Sequence, residues 1–214
     1  MAAGSGGAAE AGHAFLAGDR GGTRATAHRW GARLVLLSST GASGRAAPPG
    51  FSTDGALGVP VEALHAELPL VCASAGGWSV FVPLARASLL AELEVDLPQV
   101  AALCGALGVI SLYVYAPLSG GRFAARDFAP LVGIPEDPVT GSAGGALIGV
   151  LAARGHLPEQ GGLAVRGVIE QGRELGTPGE IAVRVMLGVG QEVRHIEVGG
   201  QAAFGRQGEW DAEP

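Results

Sequence analysis

An α+β fold, with mixed or antiparallel strands wrapped around a single apolar helix, is predicted by three features of the sequence. From about Gly58 to Gly208, strand-like runs follow one another with few helical stretches between them, which is the pattern of an antiparallel or mixed sheet rather than a doubly wound one. Residues 142–154 are Ala, Leu, Ile, Val or Gly on nearly every side of a helix, and a helix that is apolar all round is a buried helix. Short glycine turns such as Ala75-Gly76-Gly77 and Gly188-Val-Gly190 join neighbouring strand-like runs into hairpins.

The elements follow in order. Residues 29–40 read as one strand and residues 41–50 as a Pro/Gly loop. Residues 70–74 and 78–84 are β-rich. Residues 88–94 and 97–107 carry apolar side chains at helical spacing, with Asp96 and Pro98 placed as N-cap and early-turn residues and Gly108 as the stop. Residues 109–116 and 122–129 alternate β-branched, aromatic and small residues around the turn Pro117-Leu-Ser-Gly-Gly121, and the second of these feeds a loop at Asp137. After the helix of residues 142–154, strands are expected at 163–171, 180–187 and 192–198, followed by a polar tail.

The loop and helix start are where chemistry concentrates. Asp137 precedes Pro138 and is held extended; Thr140, Gly141 and Ser142 then offer cap side chains and a flexible backbone before Ala146, Leu147, Val150 and Leu151 recur at helical spacing. The free N–H groups and partial positive charge of a helix N-terminus can hold a small carboxylate without Lys or Arg, with Asp137 at the rim. An ordinary capped helix after a Pro-rich turn accounts for the same spacing equally well. Glu136 is assigned a solvated or structural role, because alternation in an extended segment turns it away from Asp137.

Composition excludes several classes. All 14 basic residues are Arg, scattered singly in a chain of net charge −6, so no nucleic-acid partner is expected. The absence of lysine rules out a lysine Schiff base and a phosphate-loop lysine. No run of about 18 apolar residues occurs, so no membrane span is expected; with no secretory signal in residues 1–10, a cytoplasmic protein is the expectation. Cys72 and Cys104 are isolated and read as buried structural thiols, and no His or Cys stands at ligand spacing, so no metal is expected. Thr140-Gly-Ser142 lacks the Gly-x-Ser-x-Gly elbow and placeable partners of a serine hydrolase.

Four segments, Arg126-Asp-Phe-Ala-Pro130, Gly133-Ile-Pro-Glu-Asp-Pro-Val-Thr-Gly-Ser-Ala143, Glu170-Gln-Gly-Arg-Glu-Leu-Gly176 and Val198-Gly-Gly200, resemble in order and spacing the C-terminal half of the phenazine-biosynthesis isomerase (PhzF-like) family. The resemblance implies a fold like that of diaminopimelate epimerase, with two α+β lobes and an active site between them, and cofactor-independent proton transfer on a small carboxylated substrate. Carried over residue by residue, it implies that Asp137 holds or relays a proton and that Gly141, Ser142 and Ala143 bind the substrate carboxylate. Gly12-His13-Ala14 looks like the family's Gly-His-Ala-Thr motif, making His13 a second candidate, although Phe15 stands in place of the Thr and Gly18-Asp-Arg-Gly-Gly22 would break the helix that should follow.

The family's Gly-Asn-Pro and Ser-Glu-Thr text, with its acid/base glutamate, does not occur before Gly12. The division expected is therefore a remnant of the N-terminal lobe and linker (1–57), a C-terminal PhzF-like lobe (58–208) and a tail (209–214). Three readings stay open: an isomerase or epimerase with impaired turnover, a non-catalytic protein that keeps the carboxylate site, and a fragment of a longer reading frame. An N-terminal lobe that is only partial would leave apolar surface uncovered, which makes a homodimer the expectation.

Overall fold

The computed structural model describes residues 28–30, 37–38, 53–158, 162 and 164–201. Its centre is a mixed ten-stranded sheet in the order β1-β10-β9-β8-β6-β5-β4-β3-β2, with β7 paired to β6 off this path. The strands are β1 (His28–Trp30), β2 (Leu37–Ser38), β3 (Val71–Ser74), β4 (Trp78–Pro83), β5 (Ser111–Pro117), β6 (Arg122–Ala129), β7 (Ile134–Asp137), β8 (Ala164–Gln171), β9 (Gly179–Leu187) and β10 (Val193–Gly200). Among the described residues three α-helices accompany them: α1 (Thr53–Leu57), α2 (Leu97–Leu107) and α3 (Gly141–Ala153).

Among the described residues only β4 with β5 and β6 with β8 pair in parallel, and a parallel pair needs a crossover, supplied here by α2 and α3 respectively. Both crossovers advance in the same direction across the sheet, but the β5–β6 hairpin has reversed the strand direction between them. The right-handed rule for such connections then sends the two helices to opposite faces. The packing agrees. Phe81, Tyr113, Tyr115, Phe123 and Ala125 join the core around α3, whereas Val80, Val82, Leu112, Val114 and Phe128 join the core around α2. Alternate residues of the same strands thus serve two cores, which is why β5 is buried along Ser111 to Ala116 rather than alternating. Strand β9 alternates, with Ile181, Val183 and Val185 buried toward α3 and Glu180, Ala182 and Arg184 exposed.

The sheet curls. Laid flat, nine strands in sequence at about 4.8 Å spacing would hold the edges roughly 38 Å apart. The chain from Trp30, at one edge, to Leu37, at the other, spans at most about 25 Å. The curled face encloses α3, whose residues from Ala143 to Ala152 are all buried. Small side chains let it seat closely: a Cβ on Gly145 would stand 2.9 Å from Val198 Cγ2, and one on Gly144 3.2 Å from both Ile169 and Ile181.

Several expectations are corrected. Residues 29–40 are not one strand, because the described residues there form β1 and β2 on opposite edges of the sheet. The helix expected at 88–94 is a 3₁₀ turn, Ala87–Glu92, flanked by extended Arg86 and Leu93. The loop expected at Asp137 is the end of strand β7. Helix α2 is capped as the sequence predicts: Asp96 Oδ1 accepts from Gln99 N at 3.0 Å, and Gly108, at φ 66°, terminates it in the left-handed region. No helix among the described residues is long and apolar enough to cross a membrane.

Candidate active site

The site is built where β7 runs into α3. Strand β7 pairs with β6 so that Asp137 lies opposite Asp127. On one face, Glu136 accepts from Arg126 Nε at 2.9 Å and Nη2 at 2.8 Å, while Arg126 Nη1 donates to Leu90 O and the guanidinium lies 5.0 Å from the Phe128 ring centroid. This two-pronged clamp gives Glu136 a structural role, as expected, and commits the neighbouring Asp137 to the α3 face.

Thr140 is the N-cap residue of α3, but its side chain makes no cap hydrogen bond. Its hydroxyl turns back and donates to Asp137 Oδ2 at 2.6 Å. The cap side chain that spacing predicts is therefore spent on the carboxylate. Gln171, at the end of β8, holds the turn in place. Its Oε1 accepts from Tyr113 OH at 2.9 Å and from Thr140 N at 3.2 Å, and its Nε2 donates to Asp137 O at 2.7 Å and Thr140 Oγ1 at 3.0 Å. With donors on one side and acceptors on the other, only one amide orientation fits. Gln171 is 1 % exposed and Tyr113 fully buried, so the loop is fixed from inside the core.

The first helical bond of α3 runs from Gly144 N to Thr140 O at 2.9 Å. The N–H groups of Gly141, Ser142 and Ala143 precede it and have no partner within the helix. Ser142 is exposed, Gly141 and Asp137 half-buried, and Ala143 buried. Two elements flank this helix start. The β3–β4 hairpin approaches at Gly76, where a Cβ would lie 3.6 Å from Ser142 Cβ, and β10 approaches at Val198, whose Cγ1 would lie 3.5 Å from a Cβ on Gly141. Asp137, Gly141, Ser142 and Ala143 are thus together at one helix N-terminus; His13 lies outside the described residues.

Beneath the helix start is a residue to which sequence reasoning gave no role. Asp127 is 1 % exposed and its Oδ1 has no hydrogen-bond partner. Burial pushes its carboxyl up to about 6; the Ser111 and Thr140 hydroxyls, lying against it, draw it back, while the charges of Asp137 and Glu136 raise it further. Ser111 in turn shares a hydrogen bond of 2.9 Å with Ser79. The available signal was alternation, since Asp127 continues the inward series Phe123 and Ala125. Gln171 lies within the family-like segment Glu170–Gly176, whose resemblance implies no role for it. Cys104 is no candidate: burial, with Asp127 and Cys72 adding to it, holds its thiol up to about 12, and a neutral thiol is inert.

All four segments singled out in the sequence meet here, through Arg126 and Asp127, Asp137 to Ala143, Gln171, and Val198. The family model described as PhzC-PhzF, phenazine biosynthesis-like protein, matches residues 45–208. The chain belongs to the phenazine biosynthesis-like family. It is 59% identical over 155 residues to an uncharacterized isomerase of Deinococcus radiodurans, covering 72% of this chain and 50% of that protein. Against the uncharacterized isomerase YddE of Escherichia coli K12 the identity is 32% over 148 residues, covering 68% and 49%. A phenazine biosynthesis protein of the PhzF family from Bacillus anthracis shares the fold, with a TM-score of 0.67 at 22% identity over 87% of this chain and 60% of that one. The chain thus spans about half the length of the curated relatives it matches.

Proposed function

We propose that this chain carries the carboxylate-binding, proton-transferring side of a cofactor-independent isomerase of the PhzF type, acting on a small carboxylated metabolite. The observation that carries the reading is the pairing of a fixed carboxyl with an anion site: Asp137, held at 2.6 Å by Thr140, stands beside the free N–H groups that open α3. In this reading the N–H groups of Gly141 and Ala143, with the N–H and hydroxyl of Ser142, bind the substrate carboxylate, drawing on helix-end charge rather than on a cation. Asp137 holds or relays the proton that leaves one carbon and returns to another. His13 is the candidate for a further substrate-facing group. Family membership and the isomerase relatives support the reaction class.

The test is mass spectrometry of deuterium uptake from D₂O into a panel of small carboxylic acids, with the wild-type chain and Asp137→Asn. Uptake that is weak, needs the protein and is lost on Asp137→Asn is the expected result. Saturable carboxylate binding without uptake of deuterium would instead favour a non-catalytic carboxylate-binding protein.

A further inference from the structure

The polarity of the hydrogen bonds around Gln171 is forced. Thr140 N can only donate and Asp137 O can only accept, so the amide oxygen of Gln171 faces the first at 3.2 Å and its nitrogen the second at 2.7 Å. The other hydrogen of that nitrogen then goes to Thr140 Oγ1, 3.0 Å away. A hydroxyl that accepts there has its own hydrogen to place elsewhere, and Asp137 Oδ2, at 2.6 Å, takes it. Thr140 has a competing use. It stands at the N-cap of α3, where a threonine oxygen ordinarily accepts from the N–H two or three residues on, here Ser142 or Ala143. Those N–H groups are the ones assigned above to the substrate carboxylate, and a hydroxyl seated on either would compete with it. That cap bond is not made.

We propose that Gln171 is a positioning residue of this site: by donating to the Thr140 oxygen it draws the hydroxyl off the start of α3, which leaves the Ser142 and Ala143 N–H groups open to a carboxylate, and turns the Thr140 hydrogen onto Asp137. One buried amide thus serves both halves of the site. Gln171 acts through Thr140, reaching it from the end of β8, and touches no substrate. Its own hold is firm, because it is 1 % exposed and its oxygen also accepts from the buried Tyr113 hydroxyl at 2.9 Å. The backbone beside it is as closely fitted. A Cβ on Gly172, at φ +83°, would stand 2.6 Å from Pro138 O, and one on Gly179 2.6 Å from Val139 Cγ2, so the ends of β8 and β9 are seated against the turn between Asp137 and Thr140.

The proposal rests on the reading of residues 141–143 as the carboxylate site and of Asp137 as the proton-handling group, but most of its test needs no turnover. Without ligand, the Ser142 and Ala143 amide protons of the wild-type chain should show the temperature coefficients of N–H groups that have no intramolecular partner. In Gln171→Met one of the two should become bonded. Formate affinity, read from the amides of residues 141–143, should fall about fivefold in Gln171→Met, the equivalent of one N-cap bond. It should return when Thr140→Ala is added, since no hydroxyl is then left to cap the helix. Deuterium uptake should not return with it, because Asp137 still lacks its tether. Tyr113→Phe removes a Gln171 bond but leaves the amide turned as before, and should keep the wild-type formate affinity, which a loss acting through stability alone would not. Gln171→Glu, which keeps the acceptor and removes the amide donor, takes the place of Gln171→Met should that variant fold poorly. A bonded Ser142 or Ala143 amide in the ligand-free wild type, or equal formate affinity in wild type and the Gln171 variants, would overturn the proposal while leaving the carboxylate site in place. The full formate pattern with no deuterium uptake by the wild type would support the role of Gln171 at the site and count against the isomerase reading.

Discussion

Gln171 shows how much one amide can hold. Its four hydrogen bonds join a buried tyrosine on β5, the end of β7 and the N-cap residue of α3. Gln171→Leu keeps the volume but leaves the Tyr113 hydroxyl and the Thr140 N–H without their partner. Each group so orphaned costs about 1–3 kcal/mol, and chemical denaturation should register the sum as a lower midpoint with an unchanged slope. Asp127 gives a prediction of opposite character. Its carboxyl is raised from 3.8 to about 6 on folding, so between these values the folded chain holds a proton that the unfolded chain has released. The stability from that proton is complete below pH 3.8 and is lost as pH rises through about 6. The loss is at most about 3 kcal/mol, and Asp127→Asn should remove that slope from denaturation curves taken between pH 4 and 7.

Helix α3 sets the scale of the elements. Leu147 and Leu151 are fully buried among Tyr113, Tyr115 and the β8–β10 side chains, so Leu147→Ala or Leu151→Ala should each cost about 2–5 kcal/mol. A loss under about 1 kcal/mol at both positions, measured by urea unfolding, would mean that the helix is not the centre of the core. This helix was legible because its composition leaves no polar face, and α2 because Asp96, Pro98 and Gly108 mark both its ends. Strand β7 was not: Ile134, Pro135 and Glu136 carry no β-pattern of their own, and the segment is extended because Arg126 pins Glu136 and Asp137 pairs with Asp127. Asp127 was hidden for a related reason. A charged residue between Arg126 and Phe128 reads as solvated unless the inward phase of β6 is known, and that phase is fixed by partners far away in sequence.

Across the whole molecule the same division holds. The local text of residues 126–143 places Asp137 before a helix start, and residues 142–154 announce a buried helix. Nothing local tells that β1 and β2 lie on opposite edges of one curled sheet, since that depends on pairing with β10 and β3. Curling matters for function because it brings β10 and the β3–β4 hairpin to either side of the α3 N-terminus, making a flanked site from an ordinary helix end. The central claim is that this helix end binds small carboxylates beside Asp137. An amide chemical-shift titration of the labelled chain with formate tests it most directly. Saturable shifts centred on Gly141, Ser142 and Ala143, weakened modestly by Ser142→Ala and abolished by Ser142→Pro, are the predicted result. Unmoved amides at residues 141–144 under saturating carboxylate, or shifts scattered over the surface and indifferent to Ser142→Pro, would contradict it.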